Sequence, residues 1–266
     1  MSGDEVFVLV VSTIMALVVW GTWYVRPTLI VYVGRRPPGR LLLQVAPLMA
    51  VMVLWAVLKT ASSHDVRDDP RYLAFYLVLG AAWVGLCIRL LALAGISTRD
   101  DVLERANGNA AIAVAGAMLG IALCYAGGNI GDGPGWWVVV FAAGLATIAL
   151  FVAWGLLELL TGVSELVTID RDAAASLRLA GFLIACGAIL GRGVAGDWIS
   201  AEATVRDFVA VAWPVLLLVA MAVIVERMTR PTPQTPRPSA MTFGLAPALA
   251  YVAVAAYYVQ RLGIPV

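Results

Sequence analysis

Asn107-Gly108-Asn109-Ala110-Ala111-Ile112-Ala113-Val114-Ala115-Gly116 is followed 65 residues later by Asp172-Ala173-Ala174-Ala175-Ser176-Leu177-Arg178-Leu179-Ala180-Gly181. Each stretch opens on a polar residue suited to a helix N-cap. Its side-chain oxygen accepts backbone N–H bonds that the first helical turn leaves without partners. Each then runs into small apolar residues. Gly116-xxx-Gly120, Gly181-xxx-Ala185 and Gly187-xxx-Gly191 are small-xxx-small patterns that let helix backbones approach closely in an apolar medium.

The composition names that medium. Of 266 residues, 62% are hydrophobic and 13% charged. The mean hydropathy is +0.91. A water-soluble domain is about 45–50% apolar and about 25% charged. So apolar a chain needs the bilayer as its solvent, and the lipid bilayer is its first expected partner. A helix crosses about 30 Å of hydrocarbon with about 20 residues. On that rule eight spans are expected, over 6–25, 42–60, 72–94, 108–128, 136–160, 173–194, 207–225 and 241–262. The fold class is thus an all-α, polytopic helical membrane bundle.

Aligned at an offset of 65, Asn107 meets Asp172, Gly116 meets Gly181 and Gly120 meets Ala185. Each unit holds two spans, so both units share one orientation, as expected of a parallel internal repeat about an axis along the membrane normal. The chain divides into an N-terminal two-span extension (1–70), the duplicated core (71–195) and a C-terminal two-span extension (196–266) with a Pro-rich linker at 229–239. The fourth and sixth spans are expected at the bundle centre, facing each other across a pseudo-twofold.

Ten of the 18 Lys and Arg side chains fall in loops on the side opposite the N-terminus and six on the N-terminal side. The positive-inside bias then places both termini outside. Arg35-Arg36-Pro37-Pro38-Gly39-Arg40 is a rigid basic turn on the cytoplasmic side, read first as a topology signal. The acidic start, Met1-Ser2-Gly3-Asp4-Glu5, lacks the positive region of a secretory signal, so the first stretch reads as a retained span. Trp20, Trp23 and Tyr24, then Trp136 and Trp137, sit at span ends where amphipathic rings meet headgroups.

The net charge of +1 argues against nucleic-acid binding. Cys87, Cys124 and Cys186 lie inside spans and read as small buried hydrophobes. With one histidine, His64, no histidine-built metal site is expected, and no cofactor. The chain carries no nucleophile elbow, phosphate-cradling loop or zinc-protease motif, so an enzyme is not expected.

Arg89, Glu158 and Arg178 are charges within spans, all within roughly 10 Å of the cytoplasmic face at 1.5 Å per residue. A charge at mid-bilayer costs about 2.5–3.5 kcal/mol, so the three are expected to pair as a buried cluster, to snorkel, or to line water. Pro47, Pro214 and Pro247 each remove a helix hydrogen bond and are candidate kinks.

Asn107-Gly108-Asn109-Ala110-Ala111 with Gly116, and Asp172 through Gly181, resemble the two copies of the bacterial membrane family known as domain of unknown function 350. The resemblance covers about 70–195. Gly108 stands where that family often has Pro or Thr, and Asp172 where it has Asn. It implies a bacterial inner-membrane location, no established activity, and a multi-component envelope assembly. Two functions are therefore carried forward. The first is a non-enzymatic scaffold or assembly subunit, partnered by its own copies or by other envelope proteins. The alternative is a channel or transporter for a small, anionic solute, built on the Arg89–Glu158–Arg178 cluster.

Overall fold

The computed structural model describes residues 1–29, 38–232 and 239–263. Arg35, Arg36 and most of the 229–239 linker lie outside those residues. The secondary structure is helical: α1 (Gly3–Leu29), α2 (Arg40–Thr60), α3 (His64–Asp68), α4 (Pro70–Arg89), α5 (Gly108–Gly127), α6 (Trp136–Thr161), α7 (Val163–Thr168), α8 (Ala173–Gly193), α9 (Ala201–Ala212), α10 (Pro214–Met228) and α11 (Ala246–Leu262). Short π-helical turns, Thr98–Glu104 and Ala240–Leu245, precede α5 and α11.

Among the described residues, seven helices are long and apolar enough to cross a membrane. The expected span at 207–225 is instead a bent pair, α9 and α10, which meet at 40° and make an eighth crossing when taken together. Pro214 opens α10, and its missing N–H interrupts the ladder there. Pro47 sits inside an unbroken α2, and Pro247 occupies the first turn of α11, where a missing donor costs nothing.

The spans form two layers. One is a row of parallel helices, α2, α5, α8 and α11, each packed on the next. The starts of α5 and α8 are tied by Asn109 Nδ2, which donates to the Arg171 carbonyl at 2.5 Å. Their ends meet where a Cβ on Gly127 would lie 2.1 Å from the Gly191 carbonyl oxygen. The second layer is α1, α4, α6 and α9–α10. Trp20 donates to the Ala81 carbonyl (3.0 Å), Trp83 to Thr147 (3.2 Å), and Arg227 to the Leu160 carbonyl (3.2 Å). The layers are joined by Trp23 to the Leu43 carbonyl, Tyr125 to the Tyr76 carbonyl and Tyr258 to the Val211 carbonyl.

α5 and α8 are the most buried spans, while α1 and α11 expose most of their surface to the surrounding medium. The small residues explain this. A Cβ on Gly116 would lie 2.4 Å from Ala180 Cα, and one on Gly187 2.4 Å from the Gly120 carbonyl oxygen. Only glycine permits backbones so close.

The contact is not a pseudo-twofold. Across a twofold, Gly116 and Gly181 would face one interface. Gly116 faces α8, but Gly181 faces α11, where a Cβ would sit 2.6 Å from Ala248 Cα. Each helix thus presents one face to its predecessor and another to its successor, a head-to-tail arrangement.

Two local geometries recur 65 residues apart. Ala106 and Arg171, each just before a cap, hold positive φ of 51° and 55°. Asn107 N donates to the Asp101 carbonyl (3.0 Å) as Asp172 N does to that of Leu166 (2.8 Å). At the other ends, Ile130 N donates to the Gly127 carbonyl as Ala195 N does to that of Arg192, and Gly131 and Gly196 follow with φ of 102° and 137°. The turn after α5 and the turn after α8 therefore share one hydrogen bond and one left-handed glycine.

Candidate functional site

The caps do what their chemistry suggests. Asn107 Oδ1 accepts from the backbone N–H groups of Asn109 (3.1 Å) and Ala110 (3.3 Å), and its Nδ2 donates to the Val167 carbonyl at 2.8 Å. This clips the start of α5 to α7. Asp172 Oδ1 accepts from Ala174 (2.7 Å) and Ala175 (3.4 Å). Its Oδ2 is buried and has no hydrogen-bond partner among the described residues. An Asn there would present a donor in place of that second oxygen.

The three intramembrane charges do not meet. Arg178 is buried, 1% exposed, and its guanidinium forks onto Glu226: Nε to Oε1 and Nη2 to Oε2, both 2.6 Å. Nη1 donates to the Phe243 carbonyl at 2.5 Å. Arg178 thus joins α8 to the end of α10 and to the turn before α11. Tyr251 of α11 is buried, and its hydroxyl has no hydrogen-bond partner among the described residues.

Glu158 turns elsewhere. Its two oxygens accept from the Ser164 hydroxyl (2.6 Å) and backbone N–H (2.8 Å), which caps α7. That first turn supplies donors that would otherwise be orphaned, and they lie nearer to Glu158 in the chain than any arginine. Arg89 is exposed and donates from Nη2 to Thr22 Oγ1 at 2.7 Å. The Arg89–Glu158–Arg178 cluster is therefore replaced by a single closed pair, Arg178–Glu226.

Glu226 lies one residue beyond the seventh span as read from hydropathy, and so escapes that reading. A signal was present: Glu226 follows Glu158 by 68 residues, close to the spacing of the caps. The reason the two acids differ is local. Glu158 is followed by α7, whereas α10 is followed by no short helix among the described residues up to Thr232.

Buried and bidentate, Arg178 and Glu226 satisfy one another. That geometry holds three helices in register. It leaves neither group placed to bind a solute or exchange a proton without first breaking the pair. Among the described residues no group of three or more His, Cys, Asp or Glu is placed to hold a metal ion, and the three cysteines are buried thiols.

Two concavities flank this core. At the end near the C-termini of α5 and α8, an apolar groove of about 380 Å³ runs between Val57 of α2 and Val259 of α11, with Leu123, Ala188 and Arg192 on its walls. At the opposite end, between α1 and α4, lies a basic cavity of about 170 Å³.

No protein-family model matches this chain, and no curated protein or solved structure matches it.

Proposed function

We propose that this chain is a non-enzymatic scaffold or assembly subunit of a bacterial inner membrane, with both termini outside. The observation that carries this reading is the head-to-tail row α2–α5–α8–α11. In this row α2 packs on α5 and α11 on α8 but not on one another, so it ends on two unlike edges, α2 and α11. Both edges carry large apolar side chains in the open: Leu48, Met52 and Trp55 on α2, and Leu249, Val254 and Tyr257 on α11. Lipid covers such edges in a monomer, and a further copy or another envelope protein covers them in an assembly.

The recurring cap and turn geometries support reading the chain as tandem two-helix units. Hydrogen bonds between residues 61–71 apart, from Trp20–Ala81 to Arg192–Gly263, suggest that the units continue into both extensions rather than stopping at 71–195. The likeness of Asn107–Gly116 and Asp172–Gly181 to the domain-of-unknown-function-350 repeat belongs to the same proposal. The transport alternative loses its three-charge vestibule, because Arg178 pairs with Glu226 and Glu158 caps α7.

Cysteine cross-linking in native membranes tests the scaffold. With Met52→Cys on α2 and Leu249→Cys on α11, a head-to-tail oligomer gives a ladder of cross-linked species, and a hetero-assembly gives a defined larger adduct that co-purifies with tagged protein. Recovery as an uncross-linked monomer from native membranes and mild detergent would sink the reading.

A further inference from the structure

The basic cavity between α1 and α4 is not used by the scaffold reading. Its wall combines Thr22 and Arg26 from the end of α1, Arg89 from the end of α4, and Ser97, Thr98 and Arg99 from the turn that follows. Its volume of about 170 Å³ is more than ten times the roughly 15 Å³ that accommodates one water, so a polyatomic group fits.

The charge balance inside it is uneven. Arg99 is neutralised by Glu104 at 2.8 Å, whose hydrogen bond and charge raise the Arg99 pKa above its ordinary value. Arg26 and Arg89 have no carboxylate within ion-pair distance among the described residues. Arg89 is oriented rather than neutralised: it donates to Thr22 Oγ1, which in turn donates to the Val19 carbonyl at 2.9 Å. Thr98 Oγ1 is buried and has no hydrogen-bond partner among the described residues. A buried hydroxyl without a partner is costly, and Thr98 is one of the residues that line this arginine-bearing cavity.

We propose that this cavity binds a phosphate group, with Arg26 and Arg89 supplying charge-assisted donors and Thr98 a hydroxyl. Two sources share that chemistry, an anionic phospholipid headgroup and free phosphate. The surroundings favour the lipid. Trp20, Trp23 and Tyr24 mark this end of α1 as headgroup level, and Trp23, Leu43, Ile88 and Leu103 give the cavity an apolar wall that suits glycerol and acyl carbons.

The test uses full-length protein in nanodiscs of mixed phosphatidylglycerol and phosphatidylcholine, transferred to detergent for native mass spectrometry. Phosphatidylglycerol is expected to be retained over phosphatidylcholine. Retention should fall about fivefold for each arginine in Arg26→Ala and Arg89→Ala, as for basic side chains at a membrane surface. Arg206→Ala, at the opposite end of the molecule, should leave it unchanged. Displacement of bound lipid by millimolar inorganic phosphate, with phosphate adducts in its place, supports the phosphate site and assigns it to the free anion. Equal retention of both lipids by the wild-type chain, with no phosphate adducts, overturns the proposal whatever the variants do.

Discussion

Arg178 lies five residues into α8 and Arg89 is the last residue of α4, two positions expected from the sequence at one depth, and the molecule treats them in opposite ways. Arg178 points from the central helix α8 between α10 and α11, and is paired on both edges of its guanidinium. Arg89 is on α4, at the rim of the outer layer, with one hydroxyl contact and the rest exposed. Depth along a helix is a sequence property. Burial is set by what packs around the helix at that level. In the centre a charge must find its counter-charge within the protein, because breaking such a pair strands the other ion. At the rim an arginine reaches headgroups or water along its own stem.

The largest expected effect follows from that contrast. Glu226→Ala should destabilise the protein by about 3–5 kcal/mol, since Arg178 would be left charged and buried. Arg89→Ala should change stability by no more than about 0.5 kcal/mol. Thermal or denaturant unfolding in detergent checks both. Replacing the pair together, Arg178→Met with Glu226→Leu, should restore most of the loss, and failure to do so would mean that the Phe243 contact matters more than the ion pair.

A second contrast is between glycines. Gly187→Ala pushes a methyl against the Gly120 backbone and should cost about 1–3 kcal/mol by overpacking. Gly155→Ala on α6 meets open space, so it should be neutral or stabilising by up to about 1 kcal/mol. Equal effects at the two sites would contradict the close approach of α5 and α8.

The caps sharpen the comparison further. Asn107→Ala should cost about 1–2 kcal/mol, because it removes the cap of α5 and the clip to Val167. Glu158→Gln keeps an acceptor for Ser164 and should cost no more than about 1 kcal/mol, visible as faster amide exchange in α7. A Glu158 effect as large as that of Glu226 would restore Glu158 to the buried charge network from which its hydrogen bonds remove it.

Much of the fold was legible in the chain. Hydropathy located seven of the eight spans within a few residues, because the bilayer demands about 20 apolar residues and helix-internal hydrogen bonds wherever the chain crosses. Asn107 and Asp172 were readable as caps, since capping depends only on a short polar side chain before an apolar run. The centrality of α5 and α8 was readable from Gly and Ala. The seventh span, read at 207–225, is the bent pair α9–α10, with the break at the candidate kink Pro214, whereas Glu226 escapes that reading because it lies just past the apolar stretch.

The partners of the charges were decided only in three dimensions. Arg178, Glu158 and Arg89 are read from the sequence at one depth, but depth leaves the rotation of each helix and the order of helices in the two layers undetermined. The head-to-tail packing, in which Gly181 turns to Ala248 and away from α5, swings Arg178 toward α10. The turn into α7 claims Glu158 before any arginine reaches it. The sequence thus determined which segments leave water, where they begin, and which surfaces are small enough to touch. The tertiary structure decided which helix lies beside which, and with it which charge is neutralised, because electrostatic pairing acts over a few ångströms and those distances belong to the packing.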